Sequence, residues 1–164
     1  MKKILWAPWR MEYILSEKPK ECIFCLGKDE KEDKKRLVLY RSSRSFVIMN
    51  RYPYNNGHIM IAPLKHLPDI EDIDKETAQD MFQLLQKSIE IIRSCMNPDG
   101  FNIGINIGKV GGAGIEEHLH IHVVPRWNGD TNFMPVIGDI RVMPEYLEDS
   151  YNKLYPYFKA LKDR

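Results

Sequence analysis

Three of the chain's five histidines lie within five residues, in the run His118-Leu119-His120-Ile121-His122-Val123-Val124. Successive side chains on a strand point to opposite faces. The spacing therefore predicts that His118, His120 and His122 share one face, with Leu119, Ile121 and Val123 turned into a core. Near neutral pH an imidazole can be a nucleophile, a proton carrier or a metal ligand. Two chemistries fit. A tri-histidine metal centre would activate water. Alternatively, one imidazole attacks phosphorus while its neighbours bind phosphate oxygens. The preceding segment, GKVGGAG at positions 108–114, holds Gly108, Gly111, Gly112 and Gly114. Backbone N–H groups in such a loop can cradle an anion. A glycine-rich loop feeding a histidine strand favours the phosphorus chemistry, because cradle and nucleophile arrive together.

Cysteines are few. Cys22 and Cys25 form C-x-x-C, and Cys95 stands alone in an apolar helical pattern, where it reads as small core filler. The pair reads as half a metal site, a redox pair, or nothing. A disulfide scaffold is not expected.

The elements that must position these groups are short. Leu37–Tyr40 and Phe46–Met49 read as a hairpin, and Tyr52-Pro53-Tyr54-Asn55-Asn56-Gly57 as a turn. A third strand is expected from His58 to Ala62, stopped by Pro63. Asp74 is a candidate N-cap for a long helix whose stripe is Met81, Leu84, Leu85, Ser88, Ile91, Ile92 and Cys95. Phe101–Ile107 and Leu119–Val124 complete five strands, and a helix is expected from Glu145 to about Tyr155, interrupted at Pro156. The mixed-charge run 28–36 (KDEKEDKKR) reads as a solvated loop. The order ββ-β-α-β-β-α predicts an α+β domain on an antiparallel sheet. Its edges must be covered or paired, so a homodimer is expected.

Length and composition set the outer bounds. The chain has 164 residues, 43% hydrophobic and 29% charged, which predicts one globular domain over 1–164. It would carry an aromatic arm at 1–20 (Trp6, Trp9, Tyr13) and a helical tail at about 136–164. A net charge of +1 lacks the field that non-specific nucleic-acid binding needs, so no nucleic-acid partner is expected. No apolar run approaches the roughly 18 residues of a membrane span, and the N-terminus has no secretory core. A cytoplasmic location and no membrane partner follow as expectations.

His118–Val124 resembles the signature of the histidine triad (HIT) superfamily of nucleotide hydrolases and transferases, His-φ-His-φ-His-φ-φ with φ apolar. Asn50–His58 looks like that family's strand–turn–strand segment ending in Gly-His, and the resemblance runs over about residues 22–127. The flanks 6–13 and 125–133 are similar to bacterial diadenosine tetraphosphate phosphorylases. The resemblance implies the HIT fold, a nucleotide substrate and no organic cofactor. It makes His120 the nucleophile and His122 a phosphate-binding or orienting partner, with His118 beside them. It places Asn50 on the ribose hydroxyls, Asn106 near the phosphates, Gly112 and Gly114 on the anion, and His58 behind the site. It also implies a structural zinc on Cys22, Cys25, His66 and His118, a closed Cys₂His₂ set with no open position. One departure stands out: positions 112–117 carry no hydroxyl, where relatives often have Ser or Thr. The expected activity is cleavage of dinucleoside polyphosphates. The alternatives are a nucleoside phosphoramidase, a nucleotide-binding regulatory module, and a zinc-stabilised interaction protein.

Overall fold

The computed structural model describes residues 22–27, 29–130, 143 and 145–161. The expected aromatic arm and the first part of the tail lie outside them. Five strands form one antiparallel sheet: β1 (Val38–Arg41), β2 (Ser45–Met49), β3 (Ile59–Pro63), β4 (Gly100–Ile105) and β5 (Ile121–Arg126). Their spatial order is β1-β2-β3-β5-β4.

β2 and β3 are buried along their whole length and, Ser45 apart, apolar, because both sheet faces are covered there. Val47, Met49, Ile59, Ile61 and Val123 face one cluster, and Phe46, Ile48, Met60 and Ala62 face the other. The first cluster is roofed by α2 (Lys75–Met96) and α3 (Leu147–Lys159). The Asp74 carboxylate caps α2 by accepting from the Thr77 N–H at 2.8 Å, and Asn97 ends it at φ 47°. Met81, Leu84, Leu85, Ser88, Ile91 and Ile92 are its buried stripe, with Cys95 packed alongside. The second face is covered by the segment carrying Phe24, and His122 belongs to it, since it pairs with Met60 across β3.

Three expectations change. The charged run is helical: a 3₁₀ turn (Glu30–Glu32) leads into α1 (Asp33–Arg36). Asp29 caps the turn, acidic residues come first and basic residues last, which matches the polarity of aligned peptide dipoles. The C-terminal helix runs through Pro156 to Lys159. Leu154 and Phe158, both wholly buried, clamp it on either side of the proline. That burial offsets the roughly 3 kcal/mol of a helix-interior proline. Third, β5 begins at Ile121, so His118 and His120 precede the strand. At the opposite edge, β1 packs against α1 and α3. The Tyr151 hydroxyl donates to its Val38 carbonyl at 3.1 Å, and Arg41 forms a bidentate ion pair with Asp33. No described helix is long and apolar enough to cross a membrane.

Candidate active site and metal centre

Carbonyl oxygens can only accept, so they assign the histidine tautomers. His120 Nδ1 lies 2.8 Å from the His118 carbonyl and must carry the proton. Its Nε2 therefore keeps the lone pair. The Tyr54 N–H donates to His58 Nδ1 at 3.0 Å, so a neutral His58 carries its proton on Nε2. That proton points at His122 Nδ1, 3.0 Å away. His122 is left with an Nε2–H donor. One ring thus offers a lone pair and its neighbour a proton, with ring centroids 4.7 Å apart and edge to face.

Burial favours the neutral form of His120 and His122. His120 is 4% exposed, and desolvation pulls its pKa below the usual histidine value against the opposing hydrogen bond to His118. His122 is pushed down to about 4, first by burial and then by His120. The consequence for stability has a definite sign. An unfolded His122 binds its proton below about pH 6.5, the folded one only below about 4. Its contribution is intact above that window and is lost as pH falls through it. The melting temperature is expected to drop between pH 6.5 and 4, and less steeply in His122→Asn at equal metal loading. Parallel curves would assign the loss elsewhere.

His118 plays a different part from its neighbours. Its ring is wholly buried, Nε2–H donates to the Pro63 carbonyl at 2.8 Å, and Nδ1 faces Cys22 Sγ at 3.5 Å and Cys25 Sγ at 3.9 Å. Both ring nitrogens are committed, so only its main-chain carbonyl reaches the reacting pair. His66 Nδ1 lies 3.2 Å from Cys25 Sγ. The four donor atoms of Cys22, Cys25, His66 and His118 lie within 4.8 Å of one another, and the cysteines are free thiols. A tetrahedral zinc with sulfur and nitrogen ligands has ligand–ligand edges of about 3.3–3.8 Å. The donor set and its spacing fit such an ion, and the Pro63 carbonyl fixes the tautomer that leaves Nδ1 free to ligate. Among the described residues the group able to hold a metal includes His118 but neither His120 nor His122.

The remaining site residues are placed as follows. Asn50 accepts from the Tyr52 N–H at 2.9 Å, and its amide nitrogen is 3.5 Å from His58 Nδ1. His58 is wholly buried behind His122, so its effect on a nucleotide runs through that ring. Asn106 donates to the Gly112 carbonyl at 3.3 Å and closes the base of the glycine loop. The Gly112 N–H donates to the Lys109 carbonyl at 3.0 Å, so it is spent inside the loop rather than offered to an anion. Gly112 sits at φ +88° and Gly114 has open space where a Cβ would be. Two residues escaped the sequence reading. Tyr54 stacks on His122 (5.7 Å, 24°), and Phe24 packs on His120 (4.7 Å, 39°). The only signal for either was an aromatic residue inside a motif chosen for other reasons.

Comparison with known proteins adds the following. The HIT domain description matches residues 31–129. An AP-4-A phosphorylase of Mycobacterium tuberculosis is 35% identical over 154 residues, 89% of this chain and 79% of its own length. A bis(5'-adenosyl)-triphosphatase of Dictyostelium discoideum is 30% identical over 133 residues, covering 77% of this chain and 89% of that protein. Among solved structures, a zinc-bound histidine triad family protein from Mycobacterium smegmatis superposes with a TM-score of 0.64 at 28% identity, over 87% of this chain and 96% of that one.

Proposed function

The chain belongs to the HIT domain family, and from that premise we propose that it cleaves dinucleoside polyphosphates through a nucleotidyl intermediate on His120. The observation that carries this is the pairing of an unprotonated His120 Nε2 with the Nε2–H of His122, both assigned by hydrogen bonds to their other nitrogens.

In the first step the His120 Nε2 lone pair attacks the α-phosphorus. A phosphorus–nitrogen bond forms, the bridging phosphorus–oxygen bond breaks, and its electron pair leaves with the departing nucleotide. The ring gains positive charge, which the His118 carbonyl steadies through Nδ1–H. His122 donates its Nε2–H to a phosphate oxygen as charge builds there. In the second step water, losing a proton, or an oxygen of inorganic phosphate attacks the same phosphorus. The phosphorus–nitrogen bond breaks and the pair returns to Nε2. Asn50 offers an amide able both to donate to and accept from a ribose diol, and Asn106, Gly112 and Gly114 border the phosphates.

Cys22, Cys25, His66 and His118 would hold a zinc ion. When bound it supplies a closed four-point crosslink and no site for water. A homodimer belongs to the same reading, supported by β4, which pairs only with β5 among the described strands and leaves Ile103 46% exposed.

The test is product analysis on diadenosine tetraphosphate with and without phosphate. Hydrolysis yields AMP and ATP, and phosphorolysis yields ADP and ATP. An adenosine phosphoramidate run in parallel is expected to turn over more slowly. Preference for the phosphoramidate would replace the proposal with a phosphoramidase, and nucleotide binding without turnover of either would leave a binding module.

A further inference from the structure

We propose that Phe24 is a positioning residue for His120, and that metal capture by the cysteines on either side of it sets where it stands; this rests on the reaction proposed above. Phe24 lies between Cys22 and Cys25 in the sequence and is wholly buried. Its ring is 4.7 Å from that of His120, 5.4 Å from His118 and 6.3 Å from Phe46. His122 stands against the same imidazole at 4.7 Å. The nucleophile is therefore packed between two rings and tied at one nitrogen.

The single hydrogen bond to the His118 carbonyl ties one corner of the imidazole but leaves the ring able to rock off that oxygen. Rocking swings Nε2 away from the line of attack. Contact with Phe24 removes that freedom, so the lone pair is aimed before substrate arrives.

Phe24 depends in turn on its own segment. Residues 22–27 form no strand or helix. Their internal bonds are a turn from the Cys25 N–H to the Cys22 carbonyl (3.0 Å) and one from the Leu26 N–H to the Phe24 carbonyl (2.9 Å). Arg41 of β1 donates to the Gly27 carbonyl at 2.7 Å and anchors the far end of the segment, while around the two cysteines the Phe24 ring and the sulfur contacts to His118 and His66 hold it against the sheet. A metal on the four donors replaces those weak contacts with coordinate bonds. It also fixes His118, whose carbonyl holds His120. Two routes, one through an aromatic ring and one through the main chain, run from the ligand set to the same imidazole.

The experiment combines nitrogen-15 spectra of the imidazoles with single-turnover kinetics on diadenosine tetraphosphate, using the full chain at verified zinc stoichiometry. Wild type is expected to show His120 as a single Nδ1–H tautomer. In Phe24→Ala that signature becomes a tautomer mixture while His58 and His122 keep theirs. Adduct formation slows about 100-fold, the scale of a small misplacement at a reacting centre, and AMP binding changes less than threefold. Phe24→Leu recovers most of the rate. Stripping zinc from wild type with a chelator reproduces the His120 change while the sheet stays folded by circular dichroism. A single His120 tautomer and a wild-type rate in zinc-loaded Phe24→Ala overturn the positioning role. If that variant does not fold, an unchanged His120 signature and an unchanged rate of adduct formation in chelated wild type overturn the proposal. Absence of any adduct in wild type refutes the reaction instead, and the spectra still decide the positioning.

Discussion

Replacing His120 by glycine is expected to eliminate the nucleotidyl adduct and to lower kcat on diadenosine tetraphosphate by at least about 10⁴-fold, the scale on which loss of a covalent nucleophile acts. The variant should still fold. His120 precedes β5 rather than standing within it, and its neighbours Leu119 and Ile121 keep their core contacts. Its ring makes one main-chain hydrogen bond, and removing it frees a carbonyl that water can reach through the cavity left behind. The measurement is mass spectrometry of protein quenched during turnover, beside the steady-state rate. An adduct persisting in His120→Gly would move the nucleophile elsewhere and sink the mechanism. His122→Asn tests the partner role differently: it keeps a donor near the phosphate, so the adduct should still form, more slowly.

The second large effect is on stability. A ligand that binds only the folded chain stabilises it by about 4.1 kcal/mol when free ligand is 1,000 times its Kd. For a chain of this size each kcal/mol moves Tm by roughly 2–4 °C. Zinc added to metal-free protein is therefore expected to raise Tm by about 8–16 °C. The gain should vanish in Cys25→Ser, which removes one ligand from an exposed position and leaves the core untouched. Calorimetry of the two proteins with and without zinc makes the comparison. An equal rise in Cys25→Ser would place the metal elsewhere, and no rise in wild type would leave the four residues as a cluster of thiols and imidazoles.

Much of the frame was legible because it is written in local pattern. The stripe of α2 and the cap at Asp74 follow from a 3.6-residue period and one carboxylate. The strands could be placed to within a residue or two, since both faces of β2 and β3 are apolar. What escaped was set by contacts between distant segments. Alternation put three histidines on one strand face, yet the Leu119 N–H bonds to the Leu67 carbonyl and the His118 ring to the Pro63 carbonyl. These hold the first two histidines ahead of the sheet and turn His118 toward the cysteines. No spacing rule contains Leu67. The four metal ligands were expected only through family resemblance, because 96 positions separate Cys22 from His118. Pro156 misled for a related reason: propensity marks a break, and the wholly buried Phe158 overrides it.

The two rims of the sheet are not alike. On one side α1 and α3 lie against β1, and Tyr151 takes up its Val38 carbonyl. On the other, β4 has no partner beyond β5 among the described residues. A slab that can be extended from one rim only has a single docking valence. Were two copies to pair along that rim, the pairing would be mutual and would close at two subunits rather than extend into an open-ended ribbon.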